Sequence, residues 1–91
     1  QFGQDVFIGP NSTILNDKYP PSGDASKWMP VQIHDRAVLG GGSTILPGVQ
    51  VGEGAVLGGG SVLTKSIPAG QVWAGNPATF RMTREDYDKK R

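Results

Sequence analysis

The chain has 91 residues, 36% hydrophobic and 19% charged, with 14 Gly, 7 Pro and no Cys, a length that supports one small domain and excludes a multidomain enzyme. Nine Lys and Arg against eight Asp and Glu leave a formal charge of +1, too little for a nucleic-acid footprint or a polybasic membrane patch. Without cysteine, and with a single histidine, no thiolate or imidazole metal site is expected; with no run of 18 apolar residues and no charged-then-apolar leader, neither is a membrane or secretion, which makes the cytoplasm the expected location.

A six-residue period is already running at Gln1, so residues before it are expected. Large apolar side chains fall at Phe2, Ile8 and Ile14, and after one interruption at Ile33, Leu39, Ile45, Val51, Leu57 and Leu63. The chance of nine apolar matches at this composition is on the order of 10⁻⁴, before allowing for the choice of phase and of the break. Two residues before each large site lies a small or β-branched one: Val6, Ser12, Val31, Ala37, Ser43, Val49, Ala55 and Ser61. Positions two apart on a strand share a face, so each hexad reads as a short strand with two inward side chains, followed by a three-residue corner. Eleven of the 14 glycines fall in these corners, where sharp turns often need positive φ.

Comparing every third hexad gives a second period, of 18 residues, with chemically distinct faces. The first face carries inward Val31 and Val49 and outward Gln1, Gln32 and Gln50; the second, inward Val6, Ala37 and Ala55 and outward Phe7, Val38 and Val56; the third, inward Ser12, Ser43 and Ser61 and outward Thr13, Thr44 and Val62. Three faces per 18 residues make a triangular coil, and stacked coils pair their strands in parallel at about 4.8 Å. The expected fold is therefore all-β, a parallel β-helix of about three coils over residues 1–68.

Two segments break the period. Residues 16–30 form an extruded loop with Tyr19, Trp28 and three prolines, and long excursions from regular scaffolds commonly carry function. Residues 69–91 read as a C-terminal cap, in which Thr83 three residues before Asp86 predicts the start of a short helix running through Tyr87 to Lys90. That tail is expected to close one open end.

The run Ile45-Leu46-Pro47-Gly48-Val49-Gln50-Val51-Gly52-Glu53-Gly54-Ala55-Val56-Leu57-Gly58-Gly59-Gly60-Ser61-Val62-Leu63-Thr64-Lys65, followed by Ile67-Pro68-Ala69-Gly70 and Ala74-Gly75-Asn76-Pro77-Ala78, resembles the hexapeptide-repeat acyltransferases. The likeness covers roughly residues 2–81. It implies a left-handed β-helix, an exception to the right-handed crossover rule, and a homotrimer that binds acetyl-CoA in clefts between subunits. Within that family, Asn16-Asp17-Lys18-Tyr19-Pro20 after Thr13-Ile14-Leu15 is similar to the loop of sugar-nucleotide N-acetyltransferases. That narrower likeness implies transfer of an acetyl group to an amino, or hydroxyl, group of a sugar or sugar nucleotide. Full-length relatives have several more coils, so a non-catalytic trimeric scaffold, or a fragment of a larger transferase, is the alternative.

Acetyl transfer from a thioester to an amine needs a neutral amine, a polarised carbonyl and a route for the departing proton. His34, at a corner usually held by Gly, is either a solvated corner residue or the general base. Asn16 and Asp17 either close a turn at the loop mouth or orient the acceptor amine. Tyr19 and Trp28 either line a sugar or base pocket or pin the loop to the prism. The corners around Gly42 and Gly60 either simply turn or let a pantetheine arm approach backbone amides. Lys65 and Arg81 are the cations expected near the CoA phosphates, set against the ordinary solvated state of surface cations.

Overall fold

The structure, a computed structural model, describes residues 2–15 and 30–91. The hexads become eight two-residue strands: β1 (Phe7–Ile8), β2 (Thr13–Ile14), β3 (Gln32–Ile33), β4 (Val38–Leu39), β5 (Thr44–Ile45), β6 (Gln50–Val51), β7 (Val56–Leu57) and β8 (Val62–Leu63). Pairing is parallel and falls between corresponding hexads: Gln32 opposite Gln50, Phe7 opposite Val38, Val38 opposite Val56, and Thr13, Thr44 and Val62 in one row. Three sheets result, β3-β6, β1-β4-β7 continued by later strands, and β2-β5-β8, one for each face of the triangular prism.

The corners follow one conformational rule. A residue with positive φ recurs every six positions, at Asp5, Asn11, Arg36, Gly42, Gly48, Gly54 and Gly60. Where that residue is not glycine it is Asp or Asn, which tolerate the left-handed region, or Arg36, which does so less readily. The amide of such a residue donates to the coil above, as Arg36 N does to Gln4 O at 2.9 Å, Gly54 N to Asp35 O at 2.8 Å and Gly60 N to Gly41 O at 2.9 Å. The corners are thus hydrogen-bonded ladders in their own right, and backbone pairing continues around the prism rather than stopping at its edges.

The inward residues build the core. Ile33, Ala37, Leu39, Ile45, Val51, Ala55, Leu57 and Leu63 are all buried, together with Ser43 and Ser61 on the third face. Phe2 departs from the nine-site pattern: it pairs with Ile33 through an isolated bridge but is 55% exposed. No described coil stacks on its far side, and Val6, Ile8 and Ile14 in the same coil are only partly covered.

At the other end the prism continues past Leu63. Ile67 bridges Val51, and β9 (Gln71–Gly75) adds in parallel to β7, setting Val72 opposite Val56 and Trp73 opposite Leu57. Both offsets are 16 residues instead of 18, because the corner after β8 is two residues shorter. Ile67 and Trp73 therefore take inward positions of a partial further coil. β10 (Ala78–Thr83) turns back antiparallel to β9, and Ala78 joins the buried core. The helix α1 (Arg84–Lys89) follows, with Thr83 as N-cap accepting from the Asp86 amide at 3.1 Å, as the Thr83/Asp86 spacing predicts.

Candidate functional site

The prism has three edges, and the candidate residues are distributed over all of them. The first edge follows the first face and holds His34. In the coils on either side its place is taken by Gly3 and Gly52, where a Cβ would stand 2.6 Å from Asp35 N and 2.5 Å from Ala69 N respectively. A side chain is thereby excluded at both neighbours, and the imidazole projects between two recesses. The upper one, of about 170 Å³, is lined by Phe2, Gly3, Gln32 and Asp35. The lower one, of about 390 Å³, has walls from Gln50, Glu53 and Ser66 over a floor of Ile67, Pro68 and Ala69.

His34 is exposed, and its Nε2 lies 3.3 Å from Gln50 Oε1 in the next coil. A carboxamide oxygen only accepts, so this pairing requires the proton on Nε2 and leaves Nδ1 as the basic nitrogen of the neutral ring. The Gln50 backbone is itself tied down, its main-chain amide donating to Ser66 Oγ at 2.9 Å. On the same edge Arg36 and Glu53 form an ion pair at 2.6 Å, with both side chains more than half exposed.

The second edge carries the glycine corners 40–42 and 58–60. Gly42 N donates to Pro10 O at 2.9 Å and Gly60 N to Gly41 O at 2.9 Å, so these two amides already serve the corner ladder. What the corners offer a ligand is close access. Gly41 and Gly59 are exposed, and neither carries a side chain to stand between solvent and the backbone. Arg81 reaches the continuation of this edge, its Nε and Nη2 donating to Ala74 O at 3.3 and 3.2 Å.

Lys65 belongs to the third edge. It borders a groove of about 190 Å³ with Trp73, Pro77, Phe80 and two threonines. The Trp73 indole donates to Gln71 Oε1 at 3.0 Å, which holds one wall of that groove; Phe80, opposite Trp73 in the β9–β10 pair, is 51% exposed. Leu15, the last described residue before position 30, follows β2 on the third face; Asn16, Asp17, Tyr19 and Trp28 lie outside the described residues. Within one chain, then, His34, the glycine corners and Lys65 are not brought together. Sequence reasoning also passed over Gln50, Glu53, Ser66 and Trp73, which the 16-residue offset of Ile67 and Trp73 could have located. Among the described residues no group of three potential metal ligands occurs, and no helix is long and apolar enough to cross a membrane.

Residues 30–65 match the family described as bacterial transferase hexapeptide (six repeats). The chain is 41% identical over 90 residues to the 2,3,4,5-tetrahydropyridine-2,6-dicarboxylate N-acetyltransferase of Staphylococcus saprophyticus, a match covering 98% of this chain and 36% of that protein. It superposes on a galactoside acetyltransferase in complex with coenzyme A with a TM-score of 0.82 and 31% identity, over 97% of this chain and 46% of that one. A mutant of perosamine N-acetyltransferase from Caulobacter crescentus, in complex with CoA and GDP-perosamine, gives a TM-score of 0.72 at 26% identity, over 88% and 32%. The chain spans about a third of the length of the curated N-acetyltransferase it matches. With its hexad ladder, three parallel sheets and these likenesses, the chain carries bacterial transferase hexapeptide repeats over residues 30–65 and folds as a left-handed parallel β-helix.

Proposed function

We propose that this chain serves acetyl transfer from acetyl-CoA to an amino group of a small polar acceptor, a sugar or sugar nucleotide, as a cytoplasmic homotrimer. The observation that carries the reading is the superposition of nearly the whole chain on an acetyltransferase bound to coenzyme A. The N-acetyl transfer named for the staphylococcal and Caulobacter relatives favours nitrogen over oxygen as the nucleophile. A narrow pantetheine arm suits the bare second edge, where glycines leave the backbone open to approach. Lys65 and Arg81 supply positive charge for the phosphates, and the Trp73 and Phe80 rings beside Lys65 give flat apolar walls.

The chemistry needs little beyond alignment. A neutral amine attacks the thioester carbon, the carbonyl oxygen gains charge, and collapse breaks the C–S bond, releasing the thiolate. The ammonium proton of the adduct passes to His34 Nδ1 or directly to the departing sulfur. Asn16 and Asp17 orient the amine, and Tyr19 and Trp28 line its pocket. Because His34 and the glycine corners occupy different edges, one site can contain both only where two subunits meet, as in the clefts of a homotrimer. Titration of the protein with acetyl-CoA by calorimetry, followed by thiol release with a panel of amino and hydroxyl sugars, tests this. Heat of binding and amine-dependent thiol release are expected, with most of kcat lost in His34→Asn. No heat with acetyl-CoA would instead establish the non-catalytic scaffold reading.

A further inference from the structure

The groove below His34 is not used by the CoA assignment, and its chemistry differs from that of the Lys65 groove. Its floor is apolar, made by Ile67, Pro68 and Ala69, and its rim is polar, made by the Gln50 carboxamide, the Ser66 hydroxyl, the Glu53 carboxylate and the His34 ring. Its volume of about 390 Å³ lies within the range of small-molecule clefts, roughly 300–1,000 Å³. The groove is also a fixed feature of the fold. Any side chain at Gly52 would strike the backbone of Ala69, which bounds the next coil, so the space between His34 and Ser66 cannot be filled from that position.

Charge narrows the occupant. Among the described residues no Lys or Arg lines the groove, and Arg36, which pairs with the lining Glu53 at 2.6 Å, is committed to that carboxylate. A pyrophosphate or a carboxylate therefore finds no cationic partner in the lining and meets the Glu53 carboxylate, whereas neutral hydroxyls and amines find donors and acceptors. An apolar floor with donors and acceptors around the rim suits a saturated ring that has C–H faces and polar edges. We infer that this groove binds the polyhydroxylated ring of the acceptor, with its hydroxyls on Gln50, Ser66 and Glu53 and its amino group toward His34 Nδ1. The inference rests on the acetyl-transfer reading and adds Gln50, Ser66 and Glu53 to the acceptor contacts which that reading gives to Asn16, Asp17, Tyr19 and Trp28. Ser66, Gln50 and His34 then share a purpose: Ser66 Oγ anchors the Gln50 backbone amide, the Gln50 carboxamide meets the imidazole, and all three border the ring.

Nuclear magnetic resonance titration of the full chain with glucosamine, and separately with CoA, tests this without requiring turnover. Glucosamine is expected to shift the Gln50 side-chain amide and the His34 ring signals, while CoA is expected to move signals near Lys65 and Arg81. Ser66→Phe, which fills the groove, and Gln50→Ala, which keeps the backbone bond to Ser66, should each weaken glucosamine binding at least tenfold and leave CoA binding within twofold. Glucosamine shifts elsewhere, or unchanged affinity in a folded Gln50→Ala, would overturn the subsite. Loss of CoA binding in the unmodified protein would strike the acetyl-transfer reading instead, and the two failures are separable.

Discussion

The Arg84 guanidinium donates to the Gly54 carbonyl at 3.0 Å, and the same nitrogen donates to Arg36 O at 3.2 Å. The Arg84 backbone amide meets Gly70 O at 2.7 Å. Residues 36, 54 and 70 are the positive-φ corner residues of successive coils along the first edge. One residue therefore receives the corner carbonyls of three coils and joins α1 to the stack. Hydrogen bonds from a charged donor contribute roughly 1.5–3 kcal/mol each when well buried, and less where water competes. Arg84→Ala should lower unfolding stability by about 1–3 kcal/mol in urea titrations, with Arg84→Lys recovering only part, because a single ammonium does not reproduce the fork. A change below a few tenths of a kcal/mol would show that the tail is held by other contacts.

The glycines of one corner are not equivalent. A Cβ on Gly40 would sit 2.4 Å from Gly59 N in the next coil, whereas one on Gly60 meets nothing within 4 Å and only its φ of +69° is at issue. Gly60→Ala should cost about 1–2 kcal/mol for a left-handed L-residue. Gly40→Ala should cost about 3 kcal/mol or more, since backbone rather than a flexible side chain must move. Paired urea denaturation measures the order; equal losses would contradict the stacking contact.

Arg36 holds a φ of 60° at a site where Gly42, Gly54 and Gly60 do the same. Its side chain pairs with Glu53 in solvent, an interaction worth about 0–1 kcal/mol. The left-handed strain is comparable or larger. Arg36→Gly should therefore leave thermal stability equal or slightly raised, while Arg36→Val, β-branched at the same φ, should lower it by more than about 1 kcal/mol. A clear loss in Arg36→Gly would mean that the ion pair outweighs the backbone.

Much of this fold is legible in the sequence, because the hexad is both the local and the global unit. The residue two before each large apolar site points inward with it, and the 18-residue comparison gives the strand register directly: Val38 does lie opposite Val56 and Thr44 opposite Val62. What escapes is whatever leaves the period. Ile67 and Trp73 keep the six-residue step but enter it two residues early, so a fixed comparison drops them and the prism reads one partial coil short. Phe2 matches the inward pattern yet stands exposed, since periodicity specifies direction and not whether a neighbour covers the face. The Arg84 staple has no local signature, because its partners lie 30 and 48 residues away. At the site, His34 is conspicuous as the lone histidine, but Gln50 and Ser66 become its support only once the coils are stacked.

The outward row Phe7, Val38, Val56 and Val72 runs down one sheet, and its exposure is graded. Phe7 is 58% exposed, Val38 is half-buried, and Val56 is 2% exposed, near the corner where Arg84 holds the C-terminal arm to Gly54. Only the Phe7 and Val38 end of the stripe is open to another subunit. If the homotrimer packs there, Val38→Glu should convert it to smaller species in sedimentation velocity runs, since a carboxylate would be buried against its own copies. Val56→Ala should instead act on stability while leaving the assembly intact. An unchanged assembly in Val38→Glu would put the contact on another face.

The inward serines of the third face make a final contrast. Ser43 and Ser61 are both buried, 0% and 2% exposed, yet their hydroxyls do different things. Ser43 Oγ donates to the Gly40 carbonyl, which keeps a shared donor if Ser43 is lost, the Ser12 hydroxyl lying 3.2 Å from it and 2.9 Å from Gly9 O. Ser61 Oγ accepts from the Gly75 amide at 3.0 Å, and that bond ties the end of β9 to the prism. Ser61→Ala strands a backbone donor, whose desolvation costs about 1–3 kcal/mol, whereas Ser43→Ala removes a hydroxyl whose acceptor remains served. Ser61→Ala is therefore expected to lose more stability than Ser43→Ala and to speed hydrogen exchange at Gly75 and along β9. Equal losses with no change in exchange at Gly75 would show that the amide finds another partner and that the hydroxyl does not hold the strand.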